Sequence, residues 1–281
     1  CRRRAFIDMD PLFTQVGKFG SYLIDDHHVH FSYGANIGRR GCTIPTGGID
    51  WIPTVPPVVP DIWQSRHPAL PQRQDGNSPV DPAFTTVANW SAYGAVTYRG
   101  EHYGQKNEEF LRLLDLPSSI RQRLELALSG GGDGAMERLR AAGWSVRNAG
   151  EVSSDIATYQ AYITDSRGEI SAAKHAYVKT HSGWFSDRSV CYLAAGRPTI
   201  LQDTGFSDWL PTGRGVLAFS SVEEAADCIE KVNTEYAANC RAASEIADRM
   251  FSHHVVLPRL LDAALDTNGS HQPVVELGEI E

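Results

Sequence analysis

From Ala83 onward the chain alternates short apolar runs with longer stretches of helical period, and this rhythm constrains the fold more than any other feature. AFTTVANW (Ala83 to Trp90) is rich in β-branched and aromatic residues and predicts a strand. Asn107 to Leu114 carries an apolar stripe at Phe110, Leu111 and Leu114 and predicts a helix, as does Ile120 to Leu128 beyond Pro117. Glycines at 130–134 break the pattern, Ala135 to Ala142 resumes it, and Gly143 stops it before a short strand from Trp144 to Val146. Short helices are expected at Asp155 to Ile163 and near Ile170 to His175, on either side of a turn at Arg167-Gly168, and then a strand at Ala176 to Thr180. Ser186 to Ala195 predicts a helix with Ser186 as its N-cap and Gly196 as its stop, and Pro198 opens the strand TILQ. Ser221 and Glu224 make a capping box ahead of a helical stripe that reaches Met250, with a break near Asn233. Strand and helix in this order imply an α/β fold: a mainly parallel sheet, covered by helices on both faces, with right-handed crossovers.

Upstream of Pro82 the text differs. RAFIDM (Arg4 to Met9) and HVHFS (His28 to Ser32) read as strands that end in loops, and prolines from Pro45 to Pro82 leave little room for a helix or a central strand. Three segments follow: 1–82, a partial N-terminal domain with a proline-rich crossing; 83–265, a Rossmann-like domain; and 266–281, a loose polar tail. The first residue is Cys1, with a strand soon under way, so a longer protein with sequence upstream is expected.

With 42% hydrophobic and 21% charged residues, the 281-residue chain can bury a core. A net charge of −8 argues against nucleic acid as the main partner. Five cysteines without a C-x-x-C pair fit a reducing cytoplasm, and no stretch approaches the length of a membrane span.

In a parallel sheet, ligands bind beyond the carboxyl ends of the strands, where loops lead into helix N-termini. KTHSGWFSDRSVCYLAAGRPTILQDTGF, from Lys179 to Phe206, fits that place. His181, Ser182 and Gly183 come onto the rim, and free N–H groups after Ser186 suit a phosphate or diphosphate. Asp187 has a simpler role in stabilising the first helical turn. Asp203, Thr204 and Gly205 form a second polar loop, whose carboxylate can accept hydrogen bonds from sugar hydroxyls.

HSGWFSDRS, the apolar helix and AAGRP together resemble the donor-binding region of GT-B fold glycosyltransferases, closely over Lys179 to Phe206 and more loosely from Ala83 to about Leu260. The plant natural-product branch has His-Cys-Gly-Trp-Asn-Ser and Ala-Gly-Val-Pro at these places. AFTTVANW, Gly143-Trp144, WFSDR and QDTGF also resemble a bacterial set of GT-B-like proteins. The resemblance implies a GT-B fold and transfer of a sugar from a nucleotide-diphosphate donor to a small-molecule or glycan acceptor, with no metal and no cofactor beyond the donor. It puts Asn89, Trp90, Lys174, His181, Ser182, Gly183, Ser186 and Asp187 at the diphosphate. Trp144, Val146 and Glu169 would hold the nucleobase and ribose, and Asp203, Thr204 and Gly205 the sugar. The acid-Gln pair of the plant enzymes has no clear counterpart here.

An inverting transfer also needs a base, and the N-terminal candidates are His27, His28, His30, Asp8 and Asp10, with His28 and Asp10 preferred. Plainer readings stand beside these: a hydrogen-bonded histidine for His181, core packing for Trp144 and Trp184, and a solvated surface pair for Glu169 and Lys174. His28 and His30 share a strand face but lack a third ligand at metal-binding spacing. Two other functions share the architecture: nucleotide-sugar 2-epimerases and non-catalytic nucleotide-sugar binding scaffolds.

Overall fold

The computed structural model describes residues 3–17, 26–64 and 82–266. The tail and the proline-rich stretch 65–81 lie outside the described residues. Three strands near the N-terminus, β1 (Ala5–Asp8), β2 (Val29–Ser32) and β3 (Trp51–Pro53), form a parallel sheet in that order.

The larger sheet has six parallel strands: β4 (Phe84–Asn89), β7 (Leu124–Ser129), β8 (Ser145–Asn148), β9 (Gly168–Ser171), β10 (Thr199–Gln202) and β11 (Val216–Phe219). Their spatial order is β11-β10-β9-β4-β7-β8. Both faces are apolar, as a parallel sheet covered on two sides requires. Ile200 and Leu217 enter the core layer of Phe110, Leu139 and Ile229, while Leu201 and Val216 enter that of Val190, Leu193 and Phe251. Between β4 and β7 a hairpin of β5 (Val96–Tyr98) and β6 (Glu101–Tyr103) turns through Arg99 and Gly100, both at positive φ.

The Asp187–Ala194 helix matches its expected bounds: Ser186 Oγ accepts the Arg188 amide at 3.2 Å, and Gly196 follows the helix at φ +65°. The Val222–Thr234 helix and the break after it also agree, with Ser221 accepting the Glu224 amide.

Three expected elements are corrected. Ile120 to Leu128 is not a helix: Leu124–Ser129 is strand β7, paired with β4 along its whole length. Ile170 to His175 is not helical, because Gly168–Ser171 is β9. Ala176 to Thr180 is not a strand but lies almost wholly in the short His175–Lys179 helix. Gly168 is needed for packing and not for a turn, since a Cβ there would lie 2.5 Å from the Pro198 carbonyl and 2.8 Å from the Phe84 ring. Among the described residues no helix is long and apolar enough to cross a membrane.

Candidate functional site

The carboxyl ends of β1 and β2 meet those of β9 and β10. After β1, Asp10 receives the Lys174 ammonium on both oxygens at 2.9 Å, and Lys174 follows β9. The Tyr177 hydroxyl also donates to Asp10, and the Lys174 ammonium donates to the Tyr93 hydroxyl. The rings of Phe13, Tyr93 and Tyr177 lie 4.5 to 5.2 Å from that ammonium, near enough for cation–π attraction. Burial lowers the Lys174 ammonium below the ordinary lysine range, against the pull of Asp10.

Two further cations lie within electrostatic range. Arg188, in the first turn of the Asp187–Ala194 helix, is largely enclosed, with 10% of its side chain exposed, and burial alone would lower its pKa. The Glu169 carboxylate, helped by Tyr159 and Tyr192, more than offsets that effect and holds the guanidinium charged. Its Nε donates to Glu169 Oε1 at 2.5 Å, Nη1 to the Val87 carbonyl at 2.8 Å and Nη2 to Ser171 Oγ at 2.8 Å. Lys106, at the start of the Lys106–Arg112 helix, is half-buried and has no hydrogen-bonding or ion-pair partner among the described residues. Burial, with Arg188 next in size, holds its ammonium well below the ordinary lysine range. Beside Arg188 lies a small cleft of about 20 Å³, lined by Ser171, Ala173, Ser186, Arg188 and Gln202. Positive charge beside a helix N-terminus suits an anion.

The His181 loop is locked from the N-terminal side. Asn36, 2% exposed, donates from Nδ2 to the His181 carbonyl at 3.2 Å, the Gly205 carbonyl at 3.0 Å and Asp208 at 3.2 Å. His181 has left-handed backbone, φ +52°, and its Nε2 lies 2.8 Å from Asp208 Oδ2. Gly183 and Gly205 are fixed by close approach: a Cβ on either would come within 2.8 Å of Asn36. The Gly183 amide donates to the Thr204 carbonyl at 2.8 Å, tying the two loops together.

Several expected site residues are already occupied or lie elsewhere. His28 stands just before β2, at the amino end, and its Nδ1 accepts the Arg4 amide; the rim is at the other end of that strand. Asp8, buried, accepts from Thr14, Gln15, Ser32 and the Asp10 amide, and burial raises its pKa. Trp144 precedes β8 and is 3% exposed, its indole N–H on the Leu114 carbonyl at 2.9 Å; it is a core residue, as is Trp90, which stacks on Phe110. Val146 packs in the same layer. Glu169 is buried against Arg188 and is not a surface partner of Lys174.

Asn89 ends β4, exposed, and accepts from the Ser129 hydroxyl. Ser182 is buried, and its hydroxyl accepts the Trp184 amide. Asp203 accepts the Gly205 and Ser207 amides and the Ser207 hydroxyl and so braces its own loop, while Thr204 donates to the Trp184 carbonyl and ties that loop to the one before it. Asp187 accepts the Arg188 amide at 2.9 Å. His181, Gly183, Ser186, Asp187 and Lys174 therefore gather at the rim, joined by Asp10. Lys106, Arg188 and Asn36 are absent from the sequence-based set. Arg188 lies inside the quoted stretch and had a visible signal in its adjacency to Ser186-Asp187; Lys106 and Asn36 carry none.

No family model and no curated protein sequence matches the chain. Among solved structures, a glycosyltransferase from Rickettsia africae ESF-5 superposes with a TM-score of 0.53 at 10% identity, over 92% of this chain and 69% of that one. AviGT4, a glycosyltransferase involved in avilamycin A biosynthesis, gives 0.49 at 14% identity over 77% of this chain and 57% of that one. TarM gives 0.46 at 11% identity, over 69% of this chain and 38% of its own length. The chain thus spans 38 to 69% of the length of these structures. It has the mixed α/β, GT-B-like fold, with its six-stranded parallel sheet flanked by helices.

Proposed function

We propose that this chain binds the diphosphate of a nucleotide sugar at the carboxyl ends of β9 and β10, and that it serves the donor side of glycosyl transfer to an acceptor. The observation that carries the reading is Lys106: a half-buried ammonium without a hydrogen-bonding or ion-pair partner among the described residues, set close to Lys174, Arg188 and the start of the Asp187–Ala194 helix. Burying a cation is costly, Glu169 and Asp187 relieve only part of that cost, and a bound anion offsets more of it.

In this reading Lys106 and Lys174 stabilise charge that develops on the departing diphosphate, a role that needs preorganised donors more than proton transfer. Arg188, held by Glu169, Val87 and Ser171, fixes the local potential and the helix start. Asp10 positions Lys174. His181, oriented by Asp208, lies beside Gly205 and donates to the donor. Free thiols on the four described cysteines support a reducing, cytoplasmic setting.

One observation favours a second reading, a binding scaffold without transfer: Asp10, the preferred N-terminal carboxylate, is already engaged by Lys174 and Tyr177. Thermal unfolding with UDP, GDP and dTDP and their sugars tests donor binding. A nucleotide at a hundredfold excess over its Kd should stabilise the chain by about 2.7 kcal/mol, and the shift should shrink in His181→Ala. If none of these ligands raises Tm, the donor site is wrong; donor binding without turnover in a longer protein across an acceptor panel favours the scaffold.

A further inference from the structure

Beside the hairpin, His102 and Glu108, six residues apart, converge with the distant His175 without any ligand-spacing motif to announce them. His102 Nε2, on β6, lies 2.9 Å from Glu108 Oε1, and His175 Nδ1 lies 3.6 Å from Glu108 Oε2. One ligand atom from each residue falls within 4.8 Å of the other two. The two imidazoles lie nearly parallel, with centroids 5.8 Å apart and planes 29° apart. We propose that His102, Glu108 and His175 form a site for a zinc-like divalent transition-metal ion, with solvent completing its coordination.

The chemistry fits. Two imidazoles and one carboxylate are a borderline donor set that suits zinc, and three protein ligands plus water are a common arrangement for it. A tetrahedral ion with ligands at about 2.1 Å keeps its ligand atoms about 3.4 Å apart, and Glu108 Oε2 lies 3.2 Å from His102 Nε2 and 3.6 Å from His175 Nδ1, which brackets that spacing. The Gly104 amide donates to His175 Nδ1 at 3.0 Å, which keeps that nitrogen unprotonated, the form a metal requires. On metal binding the ion takes the place of that amide.

Gly104 supplies a second, independent observation. Its φ is not positive, so its backbone does not demand glycine. A Cβ at this position would lie 1.7 Å from Glu108 Oε1, and any other residue would unseat the carboxylate. Side-chain exposures of 56% for His102, 34% for Glu108 and 15% for His175 leave the site open for an ion to enter.

The location gives the ion a task. Lys106 lies two residues before Glu108, and Lys174 directly precedes His175. A metal here staples the two segments that carry Lys106 and Lys174. That consequence rests on the proposed donor site; the binding of the ion does not.

The test uses the full chain freed of metal by a chelator and titrated with Co²⁺, read by its visible ligand-field absorption, followed by displacement with Zn²⁺. One Co²⁺ per chain is expected, with the band lost on Zn²⁺ addition. The band should vanish in His102→Gln and Glu108→Gln, and persist in His254→Gln, which breaks up the separate His253–His254 pair. Circular dichroism of the metal-free variants establishes that they fold, and His102 sits on an exposed hairpin where substitution is tolerated. A wild-type chain with no band, or a band of equal intensity in folded His102→Gln and Glu108→Gln, overturns the site. Nucleotide binding does not enter this readout, so failure of the donor-site reading leaves it unchanged.

Discussion

The Lys174 ammonium meets both oxygens of the Asp10 carboxylate at 2.9 Å, joining the carboxyl end of β9 to that of β1 in the other sheet. The pair is partly shielded, with 13% and 31% of the side chains exposed, and aromatic rings surround the ammonium. Asp10→Asn, Lys174→Met and the double variant should therefore give a coupling energy of about 1–2 kcal/mol in urea unfolding. Strictly additive losses would show that the two groups do not sense each other.

Lys106→Met should leave stability unchanged or raise it, because the substitution removes a desolvated charge without breaking a hydrogen bond among the described residues. The pH dependence sharpens the expectation. With its folded-state pKa held below the unfolded value, Lys106 binds fewer protons when folded, so stability rises with pH between those two values. Unfolding at neutral pH and at about pH 10 should show a smaller rise in Lys106→Met than in wild type. An equal rise in both would contradict the placement of this lysine.

Asn36 holds the His181 and Gly205 loops together, and its removal should be felt throughout that side of the cleft. Asn36→Ala should cost about 2–3 kcal/mol, since buried carbonyls lose their donor. Gly205→Ala should cost about 2 kcal/mol or more, because φ is +89° and the new Cβ would lie 2.7 Å from Asn36 and 2.8 Å from the His181 ring. Melting temperatures within a degree of wild type for both variants would argue against this lock.

Trp144→Phe separates packing from recognition. Loss of the indole hydrogen bond to Leu114 should destabilise the chain by about 1 kcal/mol, and the Kd for any nucleotide bound should not change. A weakened nucleotide complex at undiminished stability would return Trp144 to the base site.

The sequence exposed the elements whose causes are local. Ser186 with Gly196, and Ser221 with Glu224, mark helix ends by side-chain and backbone chemistry that needs no distant partner. β7 was hidden because RLELALS is built from good helix formers, and only its place between β4 and β8 makes it a strand. β9 was hidden because Gly168 reads as a turn, while its missing Cβ in fact admits Pro198 and Phe84. Ala176 to Thr180 has strand-like residues but caps the Asp10 cluster as one helical turn through Tyr177. At the site, His181, Gly183 and Lys174 were readable from the motif and its resemblance. Asn36 and Lys106 were not, because each acquires its meaning from residues more than sixty positions away.

Calorimetric titration of UDP, GDP and dTDP into wild type and Lys106→Met bears most directly on the donor site. The account predicts one nucleotide bound per wild-type chain, weakened about tenfold or more in the folded variant, in line with loss of a charge-assisted contact. It also predicts weaker wild-type binding as pH rises, because the diphosphate favours the charged form of Lys106. A wild-type chain that binds none of the three, or a variant that binds as tightly as wild type, would contradict it.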